Sequence, residues 1–431
     1  MSVTVLFFSG IVLAVVFFLV RPELWHRLWC ARVDPRPMGL TRIVFGLVIL
    51  WNFTGLAGNV REFLTDEGMW LPSMARARFG GALRHLWDPE HGFEHWWSPV
   101  LLPYGQFTIL HYGNPPWLVL ALYALMLAAL GLMVLGVWTR WTTIGSWVLM
   151  LQVYRFQPMY LSGGDWVIQN FLFLGMLSDW GEAYSIDGWR RRRAVIPTEA
   201  PATPPRPIAA WPIRLMMLQL AVIYCTTGLL KQGEVWATGE ALYYVLNLDH
   251  FYRVPAQALV AQLQHVGLLP VLTHVVRWWE ILFPLALIGA AVRGYEADRA
   301  AGDWPTPAAW RRRLSWILSG VVLILVVVTA GLLSGQLEAA VLVALMALGA
   351  IGAYRFARQR LPRLHRLILH WLLGKRLWFL VGVLLHVGID LGVNVGSFPE
   401  IMLALFLPWL SGAELARFWA FVKQLGGAVR T

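Results

Sequence analysis

Long, uninterrupted runs of apolar residues constrain this chain more than any other feature of its sequence. A membrane helix needs about 20 mostly apolar residues. Eleven segments approach that description, at residues 3–20, 39–57, 117–138, 141–160, 166–180, 212–231, 268–292, 314–334, 337–354, 377–397 and 399–418. Only 14% of the 431 residues are charged, whereas a soluble domain carries about a quarter. The sequence therefore predicts an all-α, polytopic membrane protein, and the continuity of the runs excludes a β-barrel, whose strands alternate.

The distribution of basic residues favours one orientation of these segments. If the first helix runs from outside to inside, 27 of the 35 lysine and arginine residues fall in cytoplasmic connections or at the adjoining helix starts. The arginine clusters at 190–193 and 311–313 and the basic run at 355–376 are among them. Cytoplasmic loops carry an excess of Lys and Arg. We therefore expect eleven spans in the cytoplasmic (inner) membrane, with the N-terminus outside and the C-terminus cytoplasmic.

The net charge of +11 is explained by this topology. We expect membrane lipids as partners and no nucleic acid. The outer connections 58–116 and 232–267 are long and rich in aromatic residues, which predicts helices lying in the membrane interface. The first contains His91 and His95 in an HxxxH spacing that can bind a metal on a helix. Gly92 and Pro89 disfavour a regular helix there, so we predict no metal site.

Ionisable residues inside apolar segments are the strongest candidates for a functional site, because burying a charge in a bilayer is costly. They are Arg155, Asp165, Lys231, His274, Arg277, Glu280, His386 and Asp390. In the expected topology all lie at mid-membrane depth or above it, which predicts a polar cavity that opens outward. His386, Asp390 and Asn394 are spaced to share one helical face.

Each of these residues also has a structural explanation. Lys231 can extend its amine to the interface. Arg277 and Glu280 can neutralise one another, and His386 and Asp390 can form a hydrogen-bonded pair.

Lys231 is the most suggestive of these residues chemically. A lysine partly removed from water favours its neutral amine, which can act as a general base. That role requires largely apolar surroundings, to which Trp236 would contribute, and no tight ion pair. The nearest carboxylates that could compete are Glu234 and Glu240.

Three motifs resemble the HTTM (horizontally transferred transmembrane) superfamily, which includes the transmembrane part of vitamin K-dependent γ-carboxylase. Their residues are Asp34, Pro35, Arg42, Phe45 and Gly46 in the first, Ser185, Ile186, Asp187 and Gly188 in the second, and Tyr224, Gly228, Lys231, Trp236 and Gly239 in the third. The likeness covers about 34–292, with a weaker echo at 377–418. It divides the chain into an extra N-terminal helix and basic loop (1–33), an HTTM-like core (34–292) and C-terminal helices (293–431).

The resemblance implies a function for this core. In carboxylases the corresponding lysine is the base thought to deprotonate reduced vitamin K, and the resemblance assigns that role to Lys231. It also implies an outward-facing site for a lipophilic cofactor, such as a reduced quinone. Asp165 would be a second catalytic residue, and the cofactor would contact Arg155, Trp236, His274, Arg277, Glu280, His386 and Asp390.

The chain also departs from the carboxylase pattern. The segment 162–165 stands where carboxylases carry Asn-Asn-His, and Leu230 stands where they have a second lysine. Two other functions therefore stay open. One is a non-enzymatic maturation or export factor for a secreted peptide, and the other is a transporter.

Overall fold

Helices are the main secondary structure of the described residues. The computed structural model describes residues 3–75, 87–88, 92–93, 108–157, 161–195, 204–303, 305–334 and 337–428. The α-helices with described bounds are α1 (Val3–Val20), α2 (Pro22–Trp25), α3 (Arg36–Leu56), α4 (Val60–Leu64), α5 (Pro116–Leu135), α6 (Thr139–Phe156), α7 (Gly163–Met176), α8 (Ile186–Val195), α9 (Trp211–Leu230), α10 (Glu234–Ala237), α11 (Ala241–Asn247), α12 (Gln257–His265), α13 (Leu268–Leu282), α14 (Pro284–Ala300), α15 (Ala309–Ser334), α16 (Leu337–Arg360), α17 (Pro362–Leu367), α18 (Lys375–Gly392), α19 (Phe398–Ala404) and α20 (Gly412–Ala428). The prediction of an all-α chain is confirmed.

Short elements connect these helices. π-helical turns lie at His26–Cys30 and Ile368–Leu372, and 3₁₀ turns lie at Ala57–Asn59, Ile109–His111 and Leu407–Trp409. The described strands are β1 (Arg32–Val33), β2 (Trp87–Asp88), β3 (Gly92–Phe93) and β4 (Ile208–Ala209). β1 pairs antiparallel with β4, and β2 pairs antiparallel with β3.

Four helical segments in the described residues are long and apolar enough to cross a membrane: Arg36–Leu64, Pro116–Leu135, Trp211–Leu230 and Pro362–Gly392. Three bent pairs pass the same test together: Phe8–Val20 with Pro22–Cys30 (100°), Gln257–His265 with Leu268–Leu282 (82°), and Phe398–Trp409 with Gly412–Gln424 (111°). By length and composition the count is four spans, or up to seven if each bent pair is one span. Eleven spans stay a prediction.

Interruptions explain why the helices differ from several of the expected spans. The segment 268–292 is divided between α13 and α14 at Phe283 and Pro284. Proline lacks an N–H and is favoured in the first turn of a new helix. The segment 166–180 corresponds to α7, which has 14 residues and so extends only about 21 Å at 1.5 Å per residue. A straight crossing needs about 30 Å.

The chain divides into two compact units. Unit A comprises Met1–Ala31, Ala221–Gln232 and His274–Val381, and unit B comprises Arg32–Leu220, Gly233–Thr273 and Gly382–Thr431. In unit A, α15 packs against α1 and α16. In unit B, α5 packs against α3 and α6, and α6 packs against α7. The core of unit B includes Phe45, Ile49 and Phe53 on one face of α3, all fully buried.

Two of the three resemblance motifs meet inside unit B. The guanidinium of Arg42, which is fully buried, donates to the carbonyl of Trp180 (3.4 Å) and to the carbonyl of Tyr184 (2.5 Å). A Cβ atom on Gly39 would lie 2.5 Å from the carbonyl oxygen of Ala183. The first motif therefore holds α3 against the chain that precedes the second motif.

Asp187, in the second motif, supports the start of α6. Its carboxylate accepts hydrogen bonds from the backbone N–H groups of Trp138 (3.0 Å) and Thr139 (2.7 Å), and from the Thr139 hydroxyl (2.8 Å). Trp138 has a left-handed φ of 46°, which a bulky residue adopts only under constraint. Burial opposes ionisation of Asp187, but these hydrogen bonds and the charge of Arg191 together lower its pKa.

We expect Asp187→Asn to lower the free energy of unfolding by about 1 kcal/mol at neutral pH, because an amide has one acceptor oxygen and both carboxylate oxygens of Asp187 accept hydrogen bonds. Because folding lowers the pKa of this carboxyl from 3.8, its stabilisation is present above that value. It is lost as the pH falls through the lowered pKa. Thermal unfolding of the detergent-solubilised variants at several pH values measures both effects. Asp179→Asn, at an exposed loop residue, is the control, and equal stability of wild type and Asp187→Asn at neutral pH would contradict the assignment.

Candidate functional site

A buried ion pair joins Lys231 to Glu280 in unit A. Lys231 directly follows α9, and its Nζ donates a hydrogen bond to Oε2 of Glu280 on α13. The Lys231 side chain is 21% exposed and the Glu280 side chain 10%. The hydroxyl of Thr227 lies 3.5 Å from the same carboxylate oxygen. Two charges and a hydroxyl are therefore concentrated where apolar helices meet.

Gly228 allows these helices to approach closely enough for the pair to form. A Cβ atom at this position would lie 2.8 Å from the backbone nitrogen of Ile281 and 2.9 Å from the Cβ of Glu280. Small residues at helix contacts are the usual means by which membrane helices bring their backbones together. Gly228 is part of the third motif, three residues before Lys231, so the last turn of α9 provides the contact and the residue that follows the helix provides the cation.

Aromatic rings pack beside the ion pair within unit A. The ring of Tyr224 lies 4.8 Å from that of Trp279 and 4.6 Å from that of Phe283, measured between centroids. The indole nitrogen of Trp279 donates to the carbonyl of Trp378 at 3.1 Å. Tyr224, Trp279 and Phe283 are buried. One side of the ion pair is thus an apolar aromatic cluster from which water is excluded.

The pairing of Lys231 corrects one expectation. A lysine acting alone as a base is expected to form no tight ion pair, with Glu234 and Glu240 as the nearest competitors. Lys231 does not meet this condition, and the carboxylate that binds it is Glu280. The contact bridges 49 positions of the chain, so inspection of sequence neighbours could not find it. The small residues Thr227 and Gly228, just before the lysine, were the sequence feature that could have indicated this contact, because small residues mark a helix face where another backbone can pack.

His274 and Arg277 lie on α13 with Glu280, and both are half-buried. In the described residues, Nε of Arg277 has no hydrogen-bond partner. Among those residues the ion pair of Glu280 is with Lys231. Of the predicted site residues, unit A therefore brings Lys231 and Glu280 into contact and places His274 and Arg277 on the same helix as Glu280.

The other predicted site residues belong to unit B. Asp165 is buried and lies in the first turn of α7, where its carboxylate accepts hydrogen bonds from the Ser162 N–H and hydroxyl, both at 2.7 Å, and from the Tyr154 hydroxyl at 2.5 Å. This is a helix-capping geometry. Its catalytic role stays a prediction. Arg155 is half-buried in the last turn of α6, and Trp236 is half-buried in α10.

Asp390 has a partner that the sequence did not indicate. Its carboxylate accepts a hydrogen bond from Arg253 at 2.8 Å, so the charge is paired. His386 is buried, and its ring lies 5.9 Å from that of Phe398. Asn394 lies beyond the end of α18 at Gly392 and is exposed. The expected continuation of one helical face to Asn394 is therefore wrong, because the helix ends two residues earlier.

Two further features bear on the site. Among the described residues, no three His, Cys, Asp or Glu side chains come together in an arrangement that could hold a metal ion. His91 and His95, considered above as metal ligands, lie outside the described residues.

Comparison with known proteins identifies no relative: no family model, no curated protein and no solved structure matches the chain.

We predict that Gly228→Ala separates α9 from α13 and weakens the Lys231–Glu280 contact. The new methyl group would meet the backbone of Ile281 at 2.8 Å, and that backbone cannot move aside as a flexible side chain can. Overpacking of this kind costs about 1–3 kcal/mol, measurable as a lower melting temperature in detergent. Gly131→Ala is the matched control, because no atom lies within 4 Å of its added Cβ. Equal melting temperatures for the two variants would contradict the close contact.

Proposed function

We propose that this protein is an integral membrane enzyme of the HTTM type, resembling vitamin K-dependent γ-carboxylase. In this proposal Lys231 and Glu280 together form the general base beside a lipophilic cofactor, a reduced quinone. The observation that carries the proposal is the position of Lys231, whose side chain is 21% exposed and lies beside an aromatic cluster; its ion pair with Glu280 departs from the requirement for an unpaired amine, so the proposal includes Glu280 as the proton acceptor. Ionisable side chains inside membrane-spanning segments are costly and are candidates for functional sites.

The residues around the ion pair fit a quinone-type molecule. A reduced quinone needs a polar partner for its hydroxyl group and apolar surface for its ring and tail. Lys231, Glu280 and Thr227 provide the polar partners. Leu230 and Trp278 on the same two helical segments are 79% and 55% exposed, and they offer apolar surface to a molecule dissolved in the lipid.

The ion pair changes how Lys231 would act as a base. A lysine in contact with a carboxylate holds its proton, so the amine is not free in the paired state. Transfer of that proton along the existing hydrogen bond to Oε2 of Glu280 yields a neutral amine without exchange with water. Desolvation of two charges costs free energy, which favours this neutral arrangement when the site is closed. A bound reduced quinone would supply the hydroxyl proton that the neutral amine accepts.

The remaining candidates have supporting roles in this proposal. His274 and Arg277, on the helix that carries Glu280, would orient the cofactor. Asp165, Arg155, Trp236, His386 and Asp390 are kept as candidate site residues of unit B; their proposed roles depend on the resemblance and on their predicted depth in the membrane.

The proposed topology has eleven spans, an outside N-terminus and a cytoplasmic C-terminus in the inner membrane. The bias of basic residues supports it, since the arginine clusters 190–193 and 311–313 both fall on the cytoplasmic side. In this orientation the Lys231–Glu280 pair lies near the outer surface. A secreted peptide is then an accessible substrate.

Replacement of the proposed base tests the enzymatic function. We expect Lys231→Ala and Lys231→Arg each to slow the oxidation of reduced vitamin K by purified protein, with dioxygen supplied as the oxidant, about a hundredfold or more, the scale of general-base catalysis. Arginine keeps the charge but does not release its proton. We expect Glu280→Gln to reduce the rate as well, because the proton of Lys231 loses its acceptor. The rate is measured optically as the hydroquinone is consumed, with Gln232→Ala, an exposed neighbour, as the control.

Full activity of Lys231→Arg would rule out the base. If the wild-type protein consumes no reduced quinone, the enzyme proposal fails in favour of its two rivals. Loss of a secreted peptide in the deletion strain would then favour a maturation or export factor. Uptake of a solute into vesicles that carry the protein would favour a transporter.

The topology is tested separately by cysteine accessibility. After Cys30 and Cys225 are replaced by serine, we expect Arg190→Cys and Arg312→Cys to resist an impermeant thiol reagent applied to intact cells. Val254→Cys, at an exposed residue of the predicted outer connection 232–267, should react and is the positive control. Labelling of Arg190→Cys and Arg312→Cys from outside would reverse the orientation and overturn the outward-facing site.

A further inference from the structure

A cavity of about 550 Å³ lies in unit B, lined by residues from β1, β4, the start of α6, the chain between α7 and α8, and α8 itself. None of the candidate residues discussed above contributes to it. Its volume is within the usual range for small-molecule sites. It is therefore separate from the proposed base and needs its own explanation.

Arginine is the dominant charged residue of the cavity wall. Arg32, Arg140, Arg191 and Arg206 line it, together with the carboxylates of Asp179, Glu182 and Asp187. Two of these carboxylates are already bound by protein donors: Glu182 by Arg191 at 2.9 Å, and Asp187 by the start of α6.

The other three arginines supply the unsatisfied charge. In the described part of the chain, Arg32, Arg140 and Arg206 form no ion pair, and all three are exposed. Asp179, the third carboxylate of the wall, is also exposed, so the wall carries four guanidinium groups against three carboxylates, an excess of one positive charge. The side chains of Arg32, Arg140 and Arg206 keep guanidinium donors that no carboxylate of the described residues occupies. Guanidinium groups bind phosphate oxygens through paired hydrogen bonds, so an oxyanion such as phosphate matches this wall.

The position of the cavity along the helices indicates the source of that phosphate. α5, a candidate membrane span, ends at Leu135, just before Trp138 in the cavity wall. α9, another candidate span, begins at Trp211, just after Ile208 in the same wall. Two candidate spans thus end at the cavity, and a membrane span ends near the lipid headgroups. Trp138 and Trp141 in the wall are 67% and 72% exposed, as is typical of tryptophan at a membrane interface.

We propose that this cavity binds the phosphate group of an anionic membrane phospholipid. In this proposal two arginines contact the phosphate. Arg140 lies in the first turn of α6, and Arg206 lies just before β4. Arg32, on the strand paired with β4, completes the set. The indoles of Trp138 and Trp141 lie against the glycerol and upper acyl region. This lipid site does not depend on the proposed catalytic function. The topology of the chain decides which leaflet of the membrane supplies the lipid.

Lipid retention tests the proposal. The protein is reconstituted in nanodiscs of equal parts phosphatidylglycerol and phosphatidylcholine, extracted, and its retained lipids are counted by native mass spectrometry. We expect wild type to retain phosphatidylglycerol selectively. We expect Arg140→Gln/Arg206→Gln to lose that selectivity, by roughly fivefold for each arginine, because a basic residue near an anionic membrane contributes on the order of 1 kcal/mol. If the double variant fails to fold, Arg206→Gln alone is compared in the same way.

The matched control removes the same charge from α8 outside the cavity. Arg190→Gln/Arg193→Gln should keep the selectivity, and equal losses in the two double variants would show a general attraction of the basic face and overturn the cavity site. A second arm titrates inorganic phosphate against lipid-free protein in detergent and follows the melting temperature. Stabilisation that disappears in Arg140→Gln/Arg206→Gln, together with no selective retention of phosphatidylglycerol by wild type, would identify a soluble phosphate as the ligand and overturn the lipid proposal.

Discussion

The ion pair of Lys231 and Glu280 is the interaction on which the candidate site depends, because neither charge is tolerated alone beside apolar helices. Loss of one partner of a buried pair leaves an uncompensated charge and is strongly destabilising. The pair forms because Gly228 lets the backbones of two helices meet. Burial of Tyr224, Trp279 and Phe283 then excludes water from one side. Close helix contact, paired charge and local dryness are therefore three consequences of one packing arrangement.

The helices could be predicted from sequence more reliably than the membrane crossings. Each apolar run predicted by length corresponds to a helix or a broken pair of helices, since apolar composition forces the backbone to satisfy its own hydrogen bonds. Hydropathy averages over about 20 residues, so it does not detect a break made by one residue such as Pro284. It also assigns a span to the segment at α7, whose 14 residues are too few for a straight crossing.

The candidate site could be predicted only in part, for a different reason. Lys231 and Glu280 were each identifiable as costly charges in apolar segments. Their contact joins positions 49 apart, and no periodicity within one helix reports a contact of that range. Arg253 was missed as the partner of Asp390 because it lies in an irregular segment, where neither hydropathy nor spacing distinguishes it. Which two charged side chains form an ion pair depends on how distant segments pack together, and the residues near each charge in the sequence do not show this.

The residues of the three resemblance motifs have different structural roles, so the presence of a motif does not by itself identify a catalytic residue. Arg42 donates to backbone carbonyls and Asp187 caps a helix, so these two motifs specify local architecture in unit B. The first motif also contains an ion pair, between Asp34 and Arg36, but these residues are two positions apart and lie at the start of α3. The ion pair of the third motif instead joins two helical segments 49 positions apart in the chain. A structural cation needs only neutralisation, and any nearby carboxylate would provide it. A base needs a partner that can also accept its proton away from water, and Glu280, 10% exposed and reached across a glycine contact, meets that stricter requirement. Glu234 is exposed in α10. A lysine paired with it would exchange its proton with solvent and would act as an ordinary interfacial cation.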